Sequence, residues 1–462
     1  MHSVNEIATI VGGRLDRADG ATPGRIVHDS RQIGDGDLFV ALPGRRVDGH
    51  VFLRDAFARG ACGALISSRS TAPPGARNLI VVEDVLAALQ RLAASWRRGL
   101  DATFVGITGS NGKTTTRALL AHLLREPDGA RAVFNAPGNY NTEIGLPLAL
   151  LAMPAEASIG LFELGAERPG DVATLVDILA PGVGVITSVG PSHLIGFGSI
   201  EAVAIEKWSL VDGLSADGFA VVNADSPELR HLADTTPHCC LTAGFEAGEL
   251  RGRIEQDVPR LAVIVYEPPL QLACPLIGRH NAVNLLLAAV TAHQLGVSPS
   301  EIEARARTFA PAPHRLQPVE TPFGTILDDT YNANPASTAG ALRALTRLGG
   351  DGACRVFVFG EMLDLGPDTD RYHREIVQLA LSLGVEAILP VGEQAVAACR
   401  ACRSESIAII DRAELVGAIL KLCRDSCERL ILVKGSRALG LERLVEDLVD
   451  TDQRSRGEHP SP

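Results

Sequence analysis

Short apolar runs alternate with amphipathic stretches over most of the chain. Between about residues 101 and 313 the runs are 103-TFVGIT-108, 158-SIGLFEL-164, 182-GVGVITSV-189 and 218-GFAVVNA-224. Runs of this length, separated by helical periodicity, predict strands of a mostly parallel sheet covered by helices. Upstream, residues 1–98 mix 38-LFVAL-42 and 79-LIVVEDV-85 with helical patches. The Pro-rich stretch 309-FAPAPHRLQP-318 reads as a linker. A second alternating block follows it, with strands expected at 324-GTILDD-329, 355-RVFVFG-360, 387-AILPVG-392 and 429-RLILVKG-435. A last helix near 437-RALGLERLVEDLV-449 is expected to give way to a disordered polar tail, 451–462. The division is therefore 1–98, 99–313 and 314–450, plus the tail.

Length agrees with that division, since 462 residues exceed what one core organises. No apolar stretch approaches the roughly 18 residues of a membrane span, and no secretion signal opens the chain, so a cytoplasmic protein is expected. The net charge of −12 argues against a broad nucleic-acid surface. It leaves room for a local basic pocket and small anionic substrates. Cys399 and Cys402 form a C-x-x-C with Cys423 and Cys427 beyond. A zinc site is one reading of the four, but the irregular second spacing favours scattered thiols.

The chemistry-bearing stretch is 106-GITGSNGKTTTR-117. A P-loop places four residues between its first glycine and Gly-Lys-Ser/Thr, and here that count lands on Ile107. The context is nevertheless that of a phosphate loop. An apolar strand ends at Gly109, Ser110, Asn111 and Gly112, and Lys113, Thr114 and Thr115 open a helix. Backbone N–H groups and the helix dipole would face a polyphosphate, with Lys113 on the outer phosphates and Thr114 on Mg2+. The next strand ends in Glu163, a candidate metal ligand, and the loop after the third strand carries His193.

These residues, with 29-DSRQIGDGDLFVALPG-44, 138-GNYNTEIGLPL-148, 163-ELGAERPGD-171, 278-GRHNAVN-284, 328-DDTYNANPAS-337 and 433-VKGSR-437, resemble the Mur ligases. Those are the ATP-dependent amide-bond ligases of peptidoglycan synthesis. The likeness runs from about Asp29 to Leu448 and is strongest to the branch that adds D-alanyl-D-alanine to UDP-N-acetylmuramoyl-tripeptide. It implies an α/β protein of three domains: a smaller N-terminal α/β domain for the UDP-sugar, a central P-loop ATPase-like parallel sheet, and a C-terminal Rossmann-like domain. It implies a monomer using ATP and two Mg2+ ions, held by Thr114 and Glu163 and by His193 and Lys207, the last as a CO2-derived carbamate. Here Lys207-Trp208-Ser209 stands where the family reads K-G-E, and His193-Leu194-Ile195 where it reads H-L-E.

By the same resemblance Asn281 would meet adenine, Asp329 the ribose, and Arg315 the γ-phosphate. Ser30, Arg31, Asp48, Gly49 and His50 would hold the UDP-sugar, while Asn139, Asn141 and Thr142 would face the muramoyl substrate. Asn332, Asn334 and Ser337, with Lys434, Ser436 and Arg437, would surround the dipeptide. A neutral amide matches an adenine edge, and a guanidinium fork matches a phosphate. The alternatives are a sister ligase using a different amine, although the D-N-P-R typical of third-residue addition is absent, or a nucleotide-binding protein without ligase activity.

Overall fold

The computed structural model describes residues 2–44, 47–68, 73–126, 129, 131–350, 352–422 and 428–456. It forms three sheets in three successive domains. The first contains β1 (Arg14–Asp16), β2 (Ile26–Val27), β3 (Leu38–Val40), β4 (Gly63–Ser67) and β5 (Leu79–Val82). Their order is β1-β5-β4-β3-β2, with β1 antiparallel and the others parallel.

The central sheet begins with β6 (Thr103–Thr108), β7 (Val133–Asn135), β8 (Ile159–Glu163), β9 (Val183–Ile186) and β10 (Phe219–Asn223). It continues through β11 (Cys239–Gly244), β12 (Leu250–Gln256), β13 (Leu261–Val265) and β14 (Leu270–Cys274). The order is β14-β13-β12-β11-β10-β9-β6-β8-β7. Strands β6 and β8–β10 are the expected apolar runs. The four-strand extension β11–β14 was not expected, and it corrects the reading of this region, because β12–β14 form an antiparallel meander. Its strands are half-buried and alternate, as 261-LAVIV-265 shows by burying Leu261, Val263 and Val265.

The third sheet holds β15 (Gln317–Thr321), β16 (Gly324–Asp329), β17 (Cys354–Gly360), β18 (Ala387–Val391) and β19 (Arg429–Lys434), in the order β15-β16-β19-β17-β18. The expected linker is the irregular stretch between a helix ending at Arg307 and β15. The last helix runs Glu442–Arg456, continuing past residue 450 into the stretch expected to be disordered. A run such as 442-ERLVEDLVD-450 keeps Leu444, Val445 and Leu448 buried against the sheet, so the helix is anchored where its polar end begins. Residues 457–462, the rest of that tail, lie outside the described residues, as do Cys423 and Cys427. Cys399 is buried in the helix Glu393–Cys402, which pushes its thiol up to about 12.

Position of the site follows from strand order. β6 lies between β8 and β9, so the chain leaves it toward both sides, and a crevice opens at its C-terminal end. Beneath that crevice the helix Arg279–Gln294 is buried along most of its length, with Leu285, Leu286 and Leu287 fully covered. Burial of each such leucine contributes about 1.5–3 kcal/mol, enough to make this helix a rigid floor.

Candidate active site

β6 ends directly in the glycine turn. Gly109 and Gly112 adopt φ of 147° and 86°, a region that side chains disfavour. A Cβ on Gly109 would overlap Thr187 Oγ1, and one on Gly112 would overlap the Asn284 side chain of the floor helix. Ser110 N–H donates to the Ser188 carbonyl (2.8 Å) and Asn111 N–H to Ser188 Oγ (2.9 Å), so these two strap the loop to the segment after β9. The open donors are then those of the first turn of Lys113–Leu124, where Lys113, Thr114 and Thr115 have no intrahelical partner. Lys113 Nζ donates to the Gly109 carbonyl, folding over the turn. Burial, opposed by Glu163 and assisted by Arg315, holds its pKa below the usual lysine value.

Glu163 closes this group from β8. It is 3% exposed, accepting from Thr114 Oγ1 on Oε2 (3.2 Å) and from Arg117 Nε on Oε1 (2.8 Å). His193 begins the short helix Leu194–Phe197 with φ 51°; burial and the nearby Lys113 lower its pKa, so the ring is neutral at pH 7. Lys207, on the helix Ile200–Asp212, is 3% exposed. Burial, with repulsion from Lys113, pushes its ammonium down to about 7 against the attraction of Glu206. Glu206 itself accepts from the N–H groups of Gly170 (2.8 Å) and Val172 (2.6 Å) and so caps another helix.

The C-terminal domain reaches into the same crevice. Arg315 Nη2 donates to Thr114 Oγ1 (3.0 Å), and its guanidinium lies 3.8 Å from the Tyr331 ring centroid. His314 and Leu316 flank it with positive φ, 62° and 50°. Asp329 Oδ1 accepts from Leu316 N–H (3.1 Å) and Oδ2 from Lys434 Nζ (2.6 Å), while Lys434 also donates to the Asn332 carbonyl (2.8 Å). Asn334 and Ser337 form the capping box of the helix Pro335–Arg347, and Asn334 Nδ2 donates across the domains to Asn111 Oδ1 (2.6 Å). Ser436 Oγ accepts from Leu363 N–H (3.0 Å), and Arg437 lies 5.8 Å from the Tyr331 ring. Asn281 is buried, donating to the Ile277 carbonyl (2.8 Å) and accepting from Asn284 (3.0 Å).

The remaining expected residues fall elsewhere. Asn141 offers its carbonyl to Gly165 N–H (2.9 Å) and Thr142 Oγ1 accepts from Gly145 N–H (3.2 Å), while Asn139 is exposed. In the first domain Arg31 pairs with Asp29 (2.8 Å) and Ser30 is buried beside it. His50 Nε2 accepts from Ser67 N–H (2.9 Å), which leaves the proton on Nδ1 for Asp48 (2.6 Å).

Comparison with known proteins decides what this arrangement belongs to. Residues 25–97, 107–292 and 314–437 match the models of the Mur ligase family catalytic domain, the Mur ligase middle domain and the Mur ligase glutamate ligase domain. The chain is 30% identical to UDP-N-acetylmuramoyl-tripeptide–D-alanyl-D-alanine ligase of Bacillus subtilis, over 97% of this chain and 98% of that one. It belongs to the Mur ligase family. The Escherichia coli ligase of the same name is 31% identical, over 96% and 98% of the two chains. A crystal structure of MurF from Acinetobacter baumannii superposes with a TM-score of 0.88 at 28% identity, covering 97% of this chain and 99% of the other. MurF from Thermotoga maritima in complex with ADP gives 0.82 at 28% identity, covering 95% and 100%.

Within this Mur ligase, two side chains of the crevice escaped the sequence reading. Arg117 and Tyr331 hold Glu163 and Arg315; a helical arginine carries no signal of its own, whereas Tyr331 stands within 328-DDTYNANPAS-337 with no role assigned to it there. Among the described residues no group of three or more His, Cys, Asp or Glu is placed to hold a metal. A cation at Thr114 and Glu163 would therefore complete its shell with phosphate oxygens and water, which is the habit of Mg2+. The two oxygen donors fit that ion.

Proposed function

We propose that this Mur ligase joins D-alanyl-D-alanine to the terminal carboxylate of UDP-N-acetylmuramoyl-tripeptide, using ATP. The near-full-length likeness to ligases of that name carries the reading. The convergence of Lys113, Thr114, Glu163 and Arg315 in one crevice supports it. A substrate carboxylate oxygen attacks the γ-phosphorus, the bond to ADP breaks, and an acyl phosphate results. The dipeptide amine then attacks the acyl carbon, loses a proton, and phosphate leaves as the amide forms.

Two polyanions must meet for the first step, so positioning and charge neutralisation carry most of the barrier reduction. Lys113 and the first-turn N–H groups would bind the phosphates, and Arg315 would hold the γ-phosphoryl from the other domain. Bound Mg2+ supplies further charge neutralisation. Thr114 and Glu163 would hold one ion, and neutral His193 with a carbamate on Lys207 the second. A lysine near pKa 7 fits that modification, since the neutral amine is the form that adds CO2. Asn281 and Asp329 would face adenine and ribose. Ser30, Arg31, Asp48 and His50 would hold the UDP-sugar, Asn139, Asn141 and Thr142 the muramoyl part, and Asn332, Asn334 and Ser337 the dipeptide. We place the enzyme in the cytoplasm as a monomer; no helix among the described residues is long and apolar enough to cross a membrane.

The test mixes the protein with ATP, Mg2+, UDP-muramoyl-tripeptide and D-Ala-D-Ala and follows phosphate release and product mass. Dipeptide-dependent phosphate release is expected. Its absence would overturn the reading.

A further inference from the structure

Arg117 lies one turn into the phosphate-loop helix, on the same face as Lys113 and Thr114. Its side chain is 6% exposed, and that of its partner Glu163 is 3% exposed. The helix thus gives each oxygen of one carboxylate a separate donor: Thr114 Oγ1 to Oε2 at 3.2 Å, Arg117 Nε to Oε1 at 2.8 Å. A guanidinium bond to a buried carboxylate is charge-assisted and hard to displace, whereas a hydroxyl exchanges readily for a cation. Arg117 therefore leaves Oε2 as the outward-facing atom of Glu163.

The far side of the same guanidinium holds something different. Arg117 Nη1 donates to Asn135 Oδ1 and to the Ala136 carbonyl, both at the end of β7. Those two residues lead directly into 138-GNYNT-142, which the proposed function assigns to the muramoyl substrate. Gly138 sits against this cluster. A Cβ there would stand 3.3 Å from Arg117 Nη2 and 3.8 Å from both Glu163 Oε1 and Thr114 Cγ2.

We propose that Arg117 is a positioning residue that couples the two substrate sites, fixing Glu163 toward the nucleotide's cation and, through Asn135 and Ala136, the loop that faces the UDP-linked peptide. This rests on the proposed function for the second substrate only. Lysine at this position keeps the charge but loses the fork, so it cannot hold Glu163 and the β7 end together.

The experiment measures binding without turnover, by calorimetry, for the full chain and its variants. The probes are ADP across a Mg2+ series, and UDP-muramoyl-tripeptide with and without Mg2+·ADP. Wild type should bind each probe more tightly in the presence of the other. Arg117→Lys should weaken both by about ten-fold, the effect of losing a charge-assisted hydrogen bond, and reduce their mutual enhancement to near unity. Asn135→Ala disturbs only the β7 side and guards against a poorly folded Arg117 variant. It should weaken the UDP-peptide about three-fold while leaving the Mg2+ dependence of ADP binding unchanged. A lowered melting temperature in Arg117→Lys with both affinities and their coupling intact would overturn the proposal and reduce Arg117 to a packing role. Wild type that binds Mg2+·ADP but no UDP-muramoyl-tripeptide would overturn the proposed function instead. The Mg2+ arm would then still read whether Arg117 positions Glu163.

Discussion

A lysine 3% exposed needs a carboxylate beside it to keep its charge, and at Lys207 Glu206 favours that charge while Lys113 opposes it. Its neighbour Glu206 is committed to the N–H groups of Gly170 and Val172. Burial therefore acts on the charge with little relief, and the group sits at about 7. In the unfolded chain the same amine keeps its ordinary value near 10.4. Between those values the unfolded state binds more protons, so wild-type stability rises with pH across roughly 7 to 10 and is lowest, from this source, below 7. Lys207→Met should accordingly melt several degrees above wild type at pH 7 in CO2-free buffer, and the gap should shrink as pH approaches 10. Equal melting temperatures at pH 7 would mean that the ammonium is not desolvated. The same variant should lose most ligase activity, while Lys207→Ala should regain part of it with a short carboxylic acid. From sequence alone, Lys207 is indistinguishable from an exposed helix lysine. Only the resemblance singled it out, because burial of one residue in 202-AVAIEKWSLVDGL-214 depends on what packs above it.

At the scale of elements, the strand–turn–helix at 103–124 could be read almost to the residue, because its signals are local: an apolar run, glycines and a helix start. The glycines also make the sharpest test. Gly112→Ala would put a methyl into the Asn284 side chain at a φ of 86°, and Gly109→Ala one into Thr187 Oγ1 at 147°. Each should lower stability by about 1–3 kcal/mol and weaken ADP binding at least ten-fold, as read by thermal melting and calorimetry. Gly129→Ala, at a φ of 73° with no atom of the described residues within 4 Å of the added methyl, shares the backbone strain but not the overlap and should leave ADP binding unchanged, which makes it the control. The linker is a second element with an assignable effect. Arg315 is aimed by the Tyr331 ring and by neighbours held in left-handed conformations through Asp328 and Asp329. Arg315→Lys should reduce kcat about 100-fold with a smaller change in KM for ATP, since the fork would act on charge developed at the γ-phosphoryl. A change confined to KM would assign Arg315 to ground-state binding. The meander β12–β14 was harder to foresee. Its alternating 261-LAVIV-265 and 270-LQLAC-274 flank a Pro-containing turn, a hairpin signal that the surrounding parallel pattern overshadowed.

For the whole molecule, the functional question is what holds the central and C-terminal domains together with the crevice between them. On the site's side two polar ties, Arg315 to Thr114 and Asn334 to Asn111, are joined by an apolar approach of Gly366 to Ile195 beside His193. Away from these ties, Arg347 Nη1 meets Asp257 Oδ2 at 2.8 Å. Asp257 is 4% exposed, and its Oδ1 has no hydrogen-bond partner. A cavity of about 610 Å³ lies here, lined from both domains by Val258, Ile277, Leu327, Arg347, Leu348 and Leu430. Ile277, Leu327 and Leu430 are nevertheless buried in one apolar cluster with Val258 packed against it, and the ion pair adds a directional contact to that non-directional packing. Since the Arg347 side chain is 61% exposed, water screens the pair, and its loss should cost about 1–2 kcal/mol rather than the 3–5 kcal/mol of a fully buried one. Most of that cost is the carboxylate left behind. Arg347→Ala should thus lower the melting temperature by about 2–8 °C and broaden the distance distribution in small-angle scattering as the domains separate. Adding Asp257→Leu removes the stranded charge and should restore most of the melting temperature. The directional tie remains missing in the double variant, so its scattering profile should stay broad. If Arg347→Ala leaves both the profile and the melting temperature at wild-type values, the crevice contacts and the apolar cluster hold the domains without the ion pair.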